Sequence, residues 1–412
     1  MAALLHPDEA AARYNLAGAS GAADGEHAGD FRNGSDGASG FAGHGSEARG
    51  QAPLGAGAFG SVRAATDRAH PHAHACTHVS AAALKTVRMP RLEYSDSDYD
   101  SDEGKEDGRV HMARGVPDQV MREALCLAAL SAEPRHPNTL GLRSAHASGS
   151  SLVLATDRCR CSLADVLARA ADSGIVLPER IVCGVVAQCA AGVAAVHAEN
   201  MLHRDVKPGN FLVSADGRVV LADFGQARLQ TQTKSRAAGV VPGKDRRAVV
   251  DRAGQYSHAV ATRWYRAPEL LYGATAYSEG VDVWALGCVI AELLGGGPLL
   301  PGLNDIAQLA RVQLLRGALT PREWAGVEQC PDYGKVHVNA PALTDAERVA
   351  KLAAAVPDAS ADAVALVDAM LAYDPCSRPH ATDVLACEWL LRAPVPAAPA
   401  EVAEAFTALE LW

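Results

Sequence analysis

Residues that together suit phosphoryl transfer are concentrated in one stretch and a short segment after it. Residues 201–213 contain His-Arg-Asp, then a lysine two positions after Asp205 and an asparagine three further on. The Asp205 carboxylate can accept the proton of an attacking hydroxyl, and Lys207 can neutralise charge on the transferred group. Asn210, and Asp223 of a following Asp-Phe-Gly, supply oxygen ligands of the kind that Mg²⁺ prefers.

A glycine-rich segment upstream could hold phosphate groups. Residues 54–62 read Leu-Gly-Ala-Gly-Ala-Phe-Gly-Ser-Val, and glycine lets the backbone approach a ligand closely. Gly/Ala-rich turns are common in this chain, so the segment alone is weak evidence. Lys85 lies in an apolar strand, where a lysine is costly unless it is paired, and Glu123 is a candidate partner. The alternative is an edge lysine whose amine reaches water.

Composition excludes several classes of protein. The 412 residues carry 38 Lys+Arg against 48 Asp+Glu, a formal net charge of −10, which argues against a duplex nucleic-acid binder. The scattered cysteines are typical of reduced thiols in the cytosol or nucleus. Residues 1–9 turn acidic too early for a secretory leader. The longest apolar run, 181–196, is shorter than the ~20 residues that span a bilayer, so no membrane span is expected.

Periodicity predicts the elements that must position these residues. A strand is expected over 79–87, and a helix over 118–131. Further helices are expected over 181–196, with one apolar face, and over 281–294, which is apolar nearly all round. Residues 18–50 are Gly, Ala, Ser and Asp, which predicts disorder. A small strand-rich part is therefore followed by a larger helical part.

The sequence resembles the protein kinases from about Leu54 to Leu391. The order is glycine loop, lysine, glutamate, His-Arg-Asp, Asp-Phe-Gly and Ala-Pro-Glu at 267–269. Lys207 is typical of serine/threonine kinases. In this family, Asp282 is expected to hold the catalytic-loop backbone, and Arg378 is expected to pair with Glu269.

The resemblance implies an α+β, two-lobed protein kinase fold with a small β-rich N-lobe and a larger helical C-lobe. It also implies three segments. These are a low-complexity segment at 1–53, with a first strand near 14–17, a kinase domain at 54–391, and a tail at 392–412. The N-lobe extends to about 156 and the C-lobe begins at about 162.

Within the kinases, several segments are similar to the cyclin-dependent kinases, and most similar to their cell-cycle-related kinase branch. Residues 115–123 resemble the cyclin-docking helix of the family, and residues 264–273, 300–306 and 330–335 are most similar to the branch. The loop and activation-segment insertions are longer than usual, and Gln226 stands where a leucine is common. The resemblance implies a kinase that uses ATP and Mg²⁺. The region of Val260, Ala261 and Arg266 implies a preference for a proline after the phosphorylated residue.

The family pattern assigns the site residues by position. The catalytic set is Asp205, Lys207, Asn210, Lys85 and Glu123, and the metal ligands are Asn210 and Asp223. The ATP-binding set is Leu54, Gly55, Ala56, Gly57, Ala58, Phe59, Gly60, Ser61, Val62, Ala83, Lys85, Thr156, Asp157 and Cys159. Ser257 is the expected activating phosphosite, and Arg122, Arg204 and Arg228 are its expected phosphate receptor.

The expected partners are a protein substrate, a cyclin or other activator at the 117–127 helix, and an upstream activating kinase, with no nucleic acid and no membrane. Cytoplasm, nucleus or, through the branch, cilium are the expected locations. Residues 70–78 are His-rich without zinc spacing, and a solvated insert is favoured over a metal site. The acidic run 93–107 is expected to be a solvated loop. Two alternatives stay open: a catalytically silent kinase-like scaffold, and a binding module built on the inserts.

Overall fold

The protein, as a computed structural model, divides into a sheet unit and a helical unit, and each is described by itself. Residues 81–88 and 151–157 lie in the sheet unit, and residues 118–130 and 161–412 contribute to the helical unit. The described residues are 3–4, 55–57, 60–66, 81–88, 118–148, 151–230, 249–250, 261–392 and 395–412. The predicted strand near 14–17, the segment 18–50 and the stretches 70–78 and 93–107 lie outside them.

A six-stranded sheet forms the first unit, in the order β1-β5-β6-β4-β3-β2. The glycine-rich segment is a hairpin, because Gly57 pairs with Gly60 across two antiparallel strands. Lys85 lies opposite Val62 on one side and Leu154 on the other. The strands are β1 (Ala3–Leu4), β2 (Gly55–Gly57), β3 (Gly60–Thr66), β4 (Ala81–Arg88), β5 (Leu142–Ser148) and β6 (Ser151–Asp157).

Most of the helical unit is built on two long apolar helices. The observed helices include the three that periodicity predicts, each within a few residues of its predicted ends. They are α1 (Asp118–Leu130), α2 (Leu163–Asp172), α3 (Glu179–Ala198), α4 (Pro268–Leu271), α5 (Gly280–Gly295), α6 (Asp305–Arg316), α7 (Asp345–Ala355), α8 (Ala361–Met370), α9 (Ala381–Leu385), α10 (Glu388–Leu391) and α11 (Pro399–Ala408).

Helices α3 and α5 form the centre of this unit. Val283, Trp284 and Leu286 of α5 are fully buried, as expected for a helix that is apolar on every face. Helix α3 is longer than its apolar run. Its length and composition would allow it to cross a membrane, but a buried core helix can have the same length and composition. Of its most apolar stretch, 61% is buried inside the protein.

Short strands in the helical unit flank the predicted catalytic segment. Strands β7, β9 and β10 form one antiparallel sheet, in which Leu221 pairs with Phe211. This register places Asn210, just before β9, beside the segment that leads from β10 into Asp223. The strands are β7 (Cys161–Ser162), β8 (Met201–Leu202), β9 (Phe211–Val213), β10 (Val219–Leu221), β11 (Arg228–Leu229), β12 (Val249–Val250) and β13 (Ala276–Tyr277).

Candidate active site

Asp205 is held in one orientation by two neighbours on its own loop. Its Oδ2 accepts hydrogen bonds from Lys207 Nζ at 2.7 Å and from Asn210 Nδ2 at 3.0 Å. The side chain is 9% exposed, and its Oδ1 is buried without a hydrogen-bond partner among the described residues. Because a buried, unsatisfied carboxylate oxygen is costly, this atom suits a donor that arrives with a ligand, such as a hydroxyl.

Asn210 is oriented by the same loop. Its Nδ2 also donates to the Asp205 carbonyl at 2.7 Å, so the amide nitrogen is used by the loop and the amide oxygen remains for a cation. The Asn210 carbonyl accepts from Ala222 N at 2.8 Å, which ties the loop to the chain just before Asp223. Amide and carboxylate oxygens on adjacent segments fit Mg²⁺, a hard cation.

Two residues of the site adopt left-handed backbone conformations that favour glycine. Arg204 has φ 66° and Asp223 has φ 61°. Such positions cost about 1–3 kcal/mol each unless the surroundings enforce them. At Arg204 the enforcement comes from Asp282, which is fully buried on α5.

Asp282 accepts three hydrogen bonds, from His203 N at 2.8 Å, Arg204 N at 2.7 Å and His197 Nε2 at 3.0 Å. Burial alone would raise the pKa of Asp282, but the hydrogen bond and charge of His197, with the contribution of His203, outweigh it and lower the pKa. The carboxylate therefore stays ionised and holds the loop backbone. The predicted role of Asp282 is confirmed.

The Asp-Phe-Gly segment packs on the histidine before Arg204. The rings of His203 and Phe224 meet edge to face, with centroids 5.1 Å apart, and Phe224 is fully buried. His203 Nε2 lies 2.9 Å from the Ala222 carbonyl. The catalytic loop and the Asp-Phe-Gly segment therefore pack directly against each other.

The expected phosphate receptor already has partners. Arg122 on α1 donates to the Gly225 carbonyl at 3.0 Å, and Arg204 Nε donates to the Gln226 carbonyl at 2.7 Å. Arg204 also bonds the hydroxyl of Tyr277, a residue that no sequence pattern singled out. Two of the three arginines thus join α1 and the catalytic loop to consecutive carbonyls of one turn, while Arg228 lies in β11. Ser257 lies outside the described residues.

Helix α1 lies close to this turn. A Cβ at Gly225 would lie 2.8 Å from the side-chain nitrogen of Gln119. Glu123, one turn further along α1, is 6% exposed. Lys85 belongs to the sheet unit, so its pairing with Glu123 stays a prediction.

The remaining predicted ATP-binding residues lie in or just after the sheet unit. Gly55, Ala56, Gly57, Gly60, Ser61 and Val62 form the hairpin, and Ala83 pairs with Thr156, which is 7% exposed near the end of β6. Asp157 ends that strand, and Cys159 begins the part of the helical unit that runs from 159 to 412. Leu54, Ala58 and Phe59 lie outside the described residues. The adenine contacts predicted for Asp157 and Cys159 stay predictions.

A recess beside Asp205 was not foreseen from the sequence. Its lining includes Asp205, Tyr265, Arg266 and Leu270. Tyr265 donates to the Glu292 carboxylate at 2.7 Å, and burial raises the pKa of Glu292.

Comparison with known proteins agrees with this geometry. A protein kinase domain model matches residues 101–390. Cyclin-dependent kinase 20 of Mus musculus is 38% identical over 288 residues, covering 70% of this chain and 75% of that protein. Cyclin-dependent kinase 7 of Caenorhabditis elegans is 36% identical over 216 residues, 52% of this chain and 59% of that protein.

A solved structure is also similar. The CAK complex from Chaetomium thermophilum bound to ATP-gamma-S has a chain that matches with a TM-score of 0.64 and 27% identity, over 85% of this chain and 92% of that one. The family match leaves out residues 54–100, so the start of the kinase domain at Leu54 stays a prediction. The α+β kinase fold is confirmed, and the chain belongs to the protein kinase family, among the cyclin-dependent serine/threonine kinases.

Proposed function

We propose that this chain transfers the γ-phosphoryl group of ATP, with Mg²⁺, to serine or threonine residues that precede proline. The observation that carries the proposal is the buried Asp205 oxygen that has no partner among the described residues, on a carboxylate that Lys207 and Asn210 hold in place. A substrate hydroxyl can donate to that oxygen. The remaining requirements are that the protein aligns the hydroxyl with the γ-phosphate and stabilises the charge on the transferred phosphoryl group.

The neighbours of Asp205 complete the proposed chemistry. Lys207, 2.7 Å from Asp205, lies where it can offset negative charge on the transferred group. Mg²⁺, when bound, would neutralise the phosphate oxygens, and Asn210 and Asp223 are the residues that would hold it. Lys85, Glu123 and the hairpin glycines are proposed to bind the nucleotide, on their positions in the family pattern.

The preference for proline is tested with two peptides that differ only after the phosphoacceptor, one with Ser-Pro and one with Ser-Ala. It rests on the similarity of the region of Val260, Ala261 and Arg266 to that of proline-directed relatives. We expect kcat/KM to be at least about tenfold lower for Ser-Ala. Equal values for the two peptides would contradict the proline preference and leave the phosphotransfer proposal standing.

An activating subunit of the cyclin type is proposed to bind α1. Met121 and Leu125 lie one turn apart on the same helix face and are 44% and 63% exposed, while Val120, Glu123 and Leu127 are buried. Changing Met121 and Leu125 together to glutamate should abolish activation by a purified cyclin without changing the rate of the isolated chain. Val176→Glu, at another exposed apolar residue, is the control. Unchanged activation of the double variant would contradict this docking face.

Phosphorylation of Ser257 is proposed to raise activity further. A phosphate brings about −1.5 to −2 charge and can bind more than one arginine. Because Arg122 and Arg204 already bond the Gly225 and Gln226 carbonyls, we expect Ser257→Ala to keep the basal rate and lose only the increase that an upstream kinase produces. The measurement is activity before and after that treatment. Equal activation of the variant, with the wild type phosphorylated at Ser257, would contradict the switch.

A further inference from the structure

The chain that follows α10 packs against α3 of the same helical unit. From the sequence, residues 392–412 are expected to be a tail, whereas in the structure Pro399–Ala408 form α11. Val402 and Phe406, one turn apart, are fully buried, and Leu411 is 1% exposed. Ala397 N donates to the Arg180 carbonyl at 3.2 Å, and Arg180 pairs with Glu401 at 2.6 Å. This segment is therefore part of the core.

Two glycines make room for the backbone of this segment. Gly184 lies inside α3, where a glycine costs about 1 kcal/mol relative to alanine. A Cβ there would overlap the Ala397 carbonyl oxygen and lie 2.9 Å from Ala397 N. Gly217 has φ 79°, and its Cβ would overlap the Pro399 carbonyl oxygen and lie 2.8 Å from Ala403 N.

Gly217 lies in the turn between β9 and β10. Asn210 immediately precedes β9, and Asp223 follows β10. Its carbonyl accepts from Gln188 Nε2 at 3.3 Å, and Gln188 Oε1 accepts from Val219 N at 2.9 Å. Gln188 is a buried residue of α3. The hairpin turn is thus held between α3 on one side and the start of α11 on the other.

The far end of the segment reaches the other edge of the same sheet. The Arg160 guanidinium lies 4.8 Å from the centre of the Trp412 ring, and Trp412 meets Phe406 edge to face at 5.7 Å. Arg160 N donates to the Val213 carbonyl at 2.7 Å, next to the pairing of β7 with β9. Residues 397–412 therefore contact both ends of the β7-β9-β10 sheet.

We propose that α11 and Trp412 position the β9–β10 hairpin so that Asn210 and Asp223 are correctly spaced for Mg²⁺ and nucleotide. Gly217 and Phe406 are positioning residues in this scheme, because they act through the hairpin and not on the substrate. The proposal rests on the proposed phosphotransfer function. It extends the site to a segment that the motifs do not include.

The test compares alanine variants of two glycines that both have a positive φ. Gly217→Ala forces the start of α11 away. Gly174→Ala places alanine at a similar φ of 64°, with nothing described within 4 Å of the new Cβ, and is the matched control. The readouts are hydrogen exchange of amides 211–221 and the affinity for a fluorescent ATP analogue as Mg²⁺ is varied. We expect faster exchange and about tenfold weaker Mg²⁺-dependent binding for Gly217→Ala only.

A population of unfolded protein would lower the amplitude of binding without shifting the Mg²⁺ dependence, so the readout separates positioning from stability. Gly184→Ala, which displaces Ala397, should reproduce the shift. If Gly217→Ala does not fold, Trp412→Ala, which removes the Arg160 and Phe406 ring contacts and leaves Gly217 intact, should give a smaller shift in the same direction. Unchanged Mg²⁺ dependence in these variants, or an equal shift in Gly174→Ala, would overturn the inference. A wild type that binds no nucleotide would overturn the proposed function as well.

Discussion

Replacing Asp205 by asparagine is expected to lower kcat by about 10²–10⁴-fold, the usual contribution of a positioned general base. The amide has nearly the same shape and can still accept from Lys207, but it cannot take up a hydroxyl proton. Nucleotide affinity should change little, because Asn210 and Asp223 are retained. The measurement is steady-state phosphorylation of a peptide, alongside nucleotide binding.

Asp172→Asn is the control for this experiment, because Asp172 is an exposed aspartate at the end of α2. It should behave as wild type in both measurements. A rate for Asp205→Asn within threefold or so of wild type would contradict the assignment of the base, since removal of a general base costs at least about 10²-fold.

Replacing Arg378 by methionine is expected to lower the free energy of unfolding by about 3–5 kcal/mol, because it leaves the Glu269 carboxylate buried without its partner. The two residues are 1% and 2% exposed, and their side chains form a two-pronged pair at 2.6 and 2.8 Å. Arg378 also donates to the carbonyls of Gly280 at 2.8 Å and Ala372 at 2.8 Å. Urea unfolding measures the loss.

Arg392→Met is the matched control, because Arg392 is 60% exposed and pairs with Asp362 and Glu388 at the surface. Exposed pairs contribute about 0–1 kcal/mol, so this variant should be nearly as stable as wild type. Equal losses for the two variants would contradict the structural role of the buried pair.

Sequence predicted the elements whose pattern is set by burial. The helix expected over 118–131 is Asp118–Leu130, and the one expected over 281–294 is Gly280–Gly295. The strand expected over 79–87 is Ala81–Arg88. Their apolar residues are the ones that the core buries, and over 281–294 these lie on nearly every side of the helix.

Other features depend on contacts that side-chain patterns do not encode. The partners of Arg122 and Arg204 are backbone carbonyls, which every residue carries, so nothing in the sequence marks them. Helix α11 has only Val402 and Phe406 as a buried pair within an Ala- and Pro-rich stretch. From the sequence, Gly184 is simply an unfavourable residue within a helix. Only the structure shows that the Ala397 backbone lies where a Cβ at Gly184 would be.

Transfer of radiolabelled γ-phosphate from ATP to a protein substrate is the most direct test of the central claim, that this chain is an active serine/threonine kinase. The purified chain is incubated with Mg²⁺, a purified cyclin and substrate, and the labelled residues are identified after acid hydrolysis. We predict label on serine and threonine from wild type, and almost none from Asp205→Asn. Nucleotide binding by wild type without transfer, or equal label from both proteins, would contradict the claim and favour a kinase-like scaffold.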